Sequence, residues 1–279
     1  MRFGWVLPYG DARTAADLAV LAERHGWDGF FVWEPVWGID AWVALAAAAV
    51  RTERIRLGTM LTPLPRRMPW DVASQVATVD NLSGGRTILS VGLGAPDDRW
   101  WLFEDDPGRR VRAERLDEGL DLVTRLWSDE PVNFQGTHYR ARPAERLVPP
   151  PPVQRPRVPI WVVGAWPRPR SMRRAARWDG WLPYHLPREG EAELTPEVLR
   201  EGVEWLRERR AAAGLTMDGY DVVAEGTTDP AHGDGAAAVV RRWADAGATW
   251  WLEADWSSME PAAVRAAAEA RLRAGPPRP

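Results

Sequence analysis

Cysteine and lysine are both absent from the 279 residues. Without cysteine the chain has no disulfide, no thiolate metal site and no cysteine nucleophile. Without lysine, every basic side chain but the four histidines is arginine. Asparagine and isoleucine are scarce too, a bias typical of a GC-rich coding sequence. That bias weakens any argument from arginine number alone and partly explains the 18 tryptophans. No stretch of about 18 apolar residues is free of charge, so no membrane span is expected. The opening "MRFGWVLPYG" is too short for a signal peptide and lacks a cleavage pattern. A cytoplasmic protein is expected. A net charge of −3 with a pI near 5.9 argues against nucleic acid as the main partner.

What is present is an alternation. Short apolar runs, buried-strand in character, recur at "RFGWVLP", "GFFVW", "RIRLGTML", "RTILSVGLG", "PIWVVG", "GWLPY", "YDVVAEG" and "TWWLEAD". Helical periodicity follows each, as in "ARTAADLAVLAERHG", which stops at Gly26, and "PWDVASQVATVDNLSGG", with Pro69 in its first turn and Gly84-Gly85 beyond its end. Eight strand–helix pairs without a dividing linker predict a single (β/α)8 barrel over 1–279. An irregular, proline-rich insertion is expected at about 128–159, with a hairpin near "NFQGTHY", and residues 275–279 should fray.

A barrel of this kind works at the C-terminal ends of its strands. Those ends carry Pro8 and Tyr9; Trp33, Glu34 and Trp37; Thr59 to Thr62; Gly92 and Gly94; Gly164 to Trp166; Tyr184 and His185; Glu225 and Thr227; Glu253 and Asp255. After Gly164 the stretch "AWPRPRSMRR" opens a helix read as starting at Ser171, with Arg168, Arg170, Arg173 and Arg174 around it. A helix start with unpartnered N–H groups, a serine cap and fixed positive charge suits a phosphate. "SVGLGAP" is no dinucleotide fingerprint, because Asp97 replaces its third glycine. His185 is the best-placed histidine; His25 reads as structural, and His138 and His232 lack the company a metal site needs. No metal is expected. Trp33, Trp37 and Trp166 could wall a planar ligand. Trp161, Trp181 and Trp250 read as packing, and Glu104, Asp105 and Asp106 as a solvated acidic run.

Three segments taken together resemble the bacterial luciferase-like superfamily of flavin-dependent monooxygenases and deazaflavin-dependent oxidoreductases. They are 26–35, 52–96 and 150–184; the middle one is the most specific, with R-x-x-P before a helix, then "LSGGR", then a strand that ends in Gly-x-Gly. The resemblance implies a barrel holding FMN, or coenzyme F420, across its mouth. The phosphate would lie on Gly164, Ala165, Trp166, Arg168, Arg170 and Ser171. It further implies Trp33, Thr59, Met60, Gly92 and Gly94 near the ring, with a cis peptide at Thr59–Met60. Glu34 and His185 are the candidate catalytic groups. Relatives often carry Asp-His where this chain has Glu34-Pro35, so that histidine's chemistry is lost. Sugar-oxidising deazaflavin relatives carry a glutamate where Ala95 stands.

The expected activity is a luciferase-like monooxygenase using reduced FMN and oxygen on a small organic substrate. Its electrons would come from a flavin reductase or NAD(P)H. The alternatives are an F420-dependent reductase or dehydrogenase, and a flavin-binding protein without turnover. The nearly all-apolar helix "DAWVALAAAAVRT" predicts a homodimer.

Overall fold

The computed structural model describes residues 1–95, 99–128, 130–143, 150–187, 194–229 and 233–278. Its strands are β1 (Arg2–Leu7), β2 (Gly29–Val32), β3 (Arg56–Thr59), β4 (Thr87–Val91), β5 (Phe134–Gln135), β6 (Arg140–Ala141), β7 (Ile160–Trp166), β8 (Gly180–His185), β9 (Asp221–Gly226) and β10 (Trp250–Glu253). All but β5 and β6 close into one parallel barrel in the order β1-β10-β9-β8-β7-β4-β3-β2. The closing pair β1–β10 sets Arg2 against Trp250 and Trp5 against Glu253. Around the barrel run α1 (Ala12–Arg24), α2 (Ala41–Ala49), α3 (Pro69–Ser83), α4 (Arg109–Leu126), α5 (Pro169–Arg177), α6 (Pro196–Ala212), α7 (Gly233–Asp245) and α8 (Pro261–Ala274). This is the (β/α)8 barrel that the alternation predicts.

Local signals set the helix ends. Asp11 caps α1, accepting from the N–H groups of Arg13 and Thr14 at 2.9 and 3.0 Å. Pro69 opens α3, and Gly84 closes it at φ 66°, a left-handed conformation that glycine adopts freely. The insertion holds the expected hairpin as β5 and β6, pinned to α4 by Glu118. That carboxylate accepts from the backbone of Thr137, His138 and Tyr139. Residues 275–278, expected to fray, lie against the end of α1: Pro277 is buried and Arg278 donates to the Gly26 carbonyl at 2.9 Å.

Alternate residues of each strand enter the barrel. Phe31, Ile88, Trp161, Leu182, Val223, Trp250 and Leu252 form the inner cluster. Phe30, Leu89, Val162, Trp181, Val222 and Trp251 face the helices. The tryptophans at 161, 181 and 250 are fully buried, as their strand positions suggest. Phe31 stacks on Trp161 with centroids 5.4 Å apart, and Trp161 meets Trp250 at 5.3 Å. The inner ring system fits because β2 itself and the neighbouring β3 give up side chains. A Cβ on Gly29 would lie 2.7 Å from the Phe31 ring, and one on Gly58 would lie 3.0 Å from it.

At the strands' N-terminal ends a cavity of about 250 Å³ is lined in part by Arg2, Arg56, Arg157, Asp179 and Asp221. The charges there are largely paired. Arg157 bonds both carboxylate oxygens of Asp179, and Asp221 takes Arg2 at 3.4 Å and the Trp161 indole at 3.1 Å.

Candidate active site at the barrel mouth

The third strand stops short at the mouth. After Thr59 the chain bulges inward, and the cis peptide lies at Met60–Leu61, one bond later than the expected Thr59–Met60. The hydrogen bonds explain that position. The N–H of Met60 still bonds the Val32 carbonyl at 2.9 Å, so the ladder to β2 continues through Met60. Regular pairing resumes at Thr62, whose N–H bonds the Ser90 carbonyl and whose carbonyl accepts from Gly92. Met60 and Leu61 therefore leave the strand and pack on the inner cluster.

Gly92 serves this bulge. A Cβ there would stand 3.0 and 3.1 Å from the two Leu61 methyls. Gly94, at φ 81°, forms a turn that Arg112 fixes by donating to the carbonyls of Leu93 and Gly94. Asp97, on which the fingerprint argument turned, lies outside the described residues, as does His232.

Beside the bulge sits a buried polar knot. Glu34, 4% exposed, accepts from the Thr62 hydroxyl through one oxygen and from Arg67 through the other. Thr62 in turn shares a 2.9 Å bond with Thr59, which is fully buried. Arg67 is itself held by Gln75 at 2.8 Å. Burial raises the Glu34 carboxyl above its ordinary range, outweighing the pull of Arg67 and the Thr62 hydrogen bond. Both carboxylate oxygens are engaged in this knot. Sequence spacing gave no hint of Arg67, because the pairing depends on the path of the bulge.

An aromatic wall rises on the other side. Tyr9 meets Trp33 edge-on at 5.1 Å, and Trp33 meets Trp256 edge-on at 6.1 Å. The Trp256 indole donates to Glu225 at 2.8 Å. Burial pushes the Glu225 carboxyl upward as well, against the effect of that hydrogen bond. The wall's third member, Trp256, was not singled out from the sequence; it lies past the last strand, and only closure of the barrel brings it to Trp33. Trp37 stands at the rim, 86% exposed and edge-on to Phe103.

The other candidates divide. Trp166 alternates with Val162 on the helix-facing side and packs against Trp205 of α6 at 6.4 Å, so its ring does not wall the mouth. His185 follows Trp181 on that same side, and its Nδ1 is buried without a partner among the described residues. Glu104 and Asp106 are exposed, as expected of a solvated run, but they also have partners. They pair with Arg66 at 2.7 Å and Arg112 at 3.1 Å, and those two guanidiniums stack on Trp100.

Helix α5 begins at Pro169, two residues before the expected start, with Arg168 as its cap. Ser171 is not the cap; its hydroxyl accepts from the Ala165 N–H at 2.9 Å and ties the helix to the strand end. Arginine cannot accept a hydrogen bond and Pro169 has no N–H. The N–H groups of Arg170 and Ser171 are therefore left without partners among the described residues. Arg168, Arg170 and Arg173 are exposed around this start, whereas Arg174 and Arg177 turn to Asp117 and Asp121 of α4. Gly164 is where a Cβ would strike the Trp181 indole at 2.5 Å, so its role is packing. No group of three or more metal-ligating side chains occurs among the described residues.

Fold and site together define a TIM-barrel protein with a bulged third strand, an aromatic wall and, at its mouth, a helix start whose first N–H groups have no partner among the described residues. The chain belongs to the luciferase-like monooxygenase family, whose model matches residues 1–276. It is 33% identical over 222 residues to an F420-dependent glucose-6-phosphate dehydrogenase of Nakamurella multipartita, covering 75% of this chain and 61% of that one. It is 35% identical over 217 residues to a putative coenzyme F420-dependent oxidoreductase of Mycobacterium tuberculosis, covering 72% and 60%. The chain thus spans about three-fifths of the length of these two relatives. The fold is shared with the monooxygenase RslO1 of Streptomyces bottropensis, with a TM-score of 0.80, 23% identity and 98% of each chain covered. No described helix is long and apolar enough to cross a membrane.

Proposed function

We propose that this chain is an oxidoreductase that holds coenzyme F420 across the barrel mouth and acts on a small organic substrate. The observation that carries this reading is the start of α5. Two open backbone N–H groups and the dipole end of a nine-residue helix lie beside three exposed arginines that pair with no acid among the described residues. That array suits several negative charges in a row. The side arm of F420 carries a phosphodiester and carboxylates, whereas FMN carries a single phosphate. The F420 dependence named for the first sequence relative, and given as putative for the second, supports the same choice. When bound, the deazaflavin supplies a hydride; the protein's part is to position it and exclude water. Met60, Leu61 and Ala165 offer an apolar floor for the ring, and Tyr9, Trp33 and Trp256 a wall for the substrate.

FMN with oxygen, the monooxygenase reading, keeps the same helix start for its one phosphate, and the fold likeness to RslO1 is compatible with it. It would add a flavin reductase or NAD(P)H as electron source. Parallel titrations with F420 and FMN, followed by absorbance and fluorescence, decide. Tighter binding of F420 supports the proposal, and FMN binding alone transfers the site to the second reading. Binding of either without turnover of any substrate leaves a cofactor-holding protein.

The site is proposed to work in a homodimer. Val43, Ala46, Ala47 and Val50 form an apolar stripe on the outer face of α2, with Val43 and Val50 59% and 65% exposed. Light scattering at micromolar concentration tests this: a mass of 31.3 kDa without concentration dependence rejects the dimer.

A further inference from the structure

The inward alternation of the strands, continued to the mouth, ends in one residue per strand. Trp33, Met60, Ala165, Tyr184 and Ala254 are five of these, and β1 and β4 supply a proline and a glycine. The eighth is Glu225, two residues beyond Val223 of the inner cluster. It is the one carboxyl group in this ring. Glu34, another acid near the mouth, has both oxygens committed to Thr62 and Arg67. Pro35 and Ala95 carry no proton that could be moved.

Glu225 differs from Glu34 in its partners. Oε1 accepts from the Trp256 indole at 2.8 Å; Oε2 has no hydrogen bond and no cation beside it among the described residues. An indole N–H is a donor only, so the oxygen it engages acts as acceptor and the acid's proton belongs on Oε2. That oxygen is free to serve a ligand in the mouth. Partial burial raises the Glu225 carboxyl and so favours its protonated form.

We propose that Glu225 is the proton donor of this site, giving its Oε2 proton to the oxygen of a carbonyl substrate as a hydride reaches the carbonyl carbon. This rests on the F420 reading. The π bond of C=O is lost, the C–O single bond stays, and one C–H and one O–H bond form; the hydride and its two electrons come from the reduced deazaflavin, which is thereby oxidised. Glu225 is left as a carboxylate, which water reprotonates across its exposed edge. In the reverse direction the carboxylate takes the proton of an alcohol. Trp256 is a positioning residue, fixing which oxygen carries the proton.

The neighbours that bear on its titration lie on the two flanking strands and the loop after β10. Tyr184 and His185 end β8. Glu253, on β10, is turned outward to Arg271 and Thr228, and Asp255 is held by the Ser257 N–H. None of these hydrogen-bonds to Glu225 or forms an ion pair with it.

The test combines carboxyl-labelled glutamate NMR with turnover. In wild type, one carboxyl resonance absent from Glu225→Gln titrates above the usual range and moves when F420 is added. Circular dichroism verifies that the variant is folded. Under nitrogen, wild type with reduced F420 reduces members of a panel of aliphatic and aromatic aldehydes and ketones. The variant is slower by at least ~100-fold, the lower range for a general acid, with unchanged F420 affinity. The wild-type rate falls as pH rises through the Glu225 pKa, a limb the variant lacks; Glu225→Asp restores part of the rate and the limb.

A resonance indifferent to F420, an equal rate in the glutamine variant, or wild type that binds F420 yet reduces no carbonyl overturns the proposal. Wild type that fails to bind F420 overturns the cofactor reading and this role with it. The NMR titration distinguishes that failure from the others.

Discussion

The two ends of the barrel handle charge in opposite ways. At the N-terminal end Arg157 is matched to Asp179 and Arg2 to Asp221, with the Trp161 indole closing the set. At the mouth Arg168, Arg170 and Arg173 have no acid among the described residues, and Glu225 has only an indole. The closed end takes its charges from β1, β9 and the residues leading into β7 and β8, and the mouth from the end of β9 and the start of α5. Charges satisfied within the chain contribute to the fold alone, whereas charges left open keep their interaction free energy for a ligand. The contrast locates function more sharply than the inventory of ionisable residues does.

Changes at the closed end should act on stability and changes at the mouth on binding. Trp161→Ala should have the largest effect. It removes a fully buried ring that touches Phe31 and Trp250, so unfolding free energy should fall by about 3–5 kcal/mol in a urea titration. A loss below about 1 kcal/mol would mean the inner cluster collapses around the gap. Arg170→Ala should cost roughly 1.5–3 kcal/mol in F420 or FMN affinity with an unchanged melting temperature. If riboflavin, which lacks a phosphate, loses as much affinity, the arginine acts on the ring and the anion assignment is wrong.

The Glu34 knot blurs the contrast, being at the mouth yet internally satisfied. Its carboxyl is raised in the folded chain, so the folded state binds the proton more tightly than the unfolded one. The stability this contributes is complete below the unfolded carboxyl pKa and is lost as pH rises through the folded one. Glu34→Gln should flatten the slope of melting temperature against pH across that window. An unchanged slope would show that Arg67 holds the carboxylate charged. The smallest effect on the fold belongs to Val43→Glu: stability within about 0.5 kcal/mol, as for other exposed positions, but a monomer by light scattering.

Much of the fold was legible because it is written in local code. Pro69 and Gly84 mark the ends of α3 in both sequence and structure, and strand alternation separates Trp161 and Trp250 from Trp181. The site was less legible because its key contacts are long-range. Ser171 looks like a cap, but Arg168 occupies that place and the hydroxyl serves Ala165. The cis bond lies one position later because β3 keeps pairing with β2 through Met60. Glu225 was visible as an acid at the end of "YDVVAEG". Its importance depends on what stands beside it in the closed ring, and no strand read alone contains that information.

The glycines around Phe31 have an evolutionary consequence. Three strands forgo a side chain for one ring: a Cβ at Gly4, Gly29 or Gly58 would lie 2.8, 2.7 or 3.0 Å from it. No one of the four positions can be explored alone. A larger residue at any of the glycines collides with the ring, and a smaller residue at 31 leaves a void that the glycines cannot fill. Shrinking the ring is not enough, because a Cβ would also lie 2.5 Å from Leu252 at Gly4, 2.9 Å from Trp250 at Gly29 and 2.6 Å from the Ile88 carbonyl oxygen at Gly58, so the barrel floor can change only as one unit. At the start of α5, by contrast, Arg168, Arg170 and Arg173 pair with no acid among the described residues, so each can change alone.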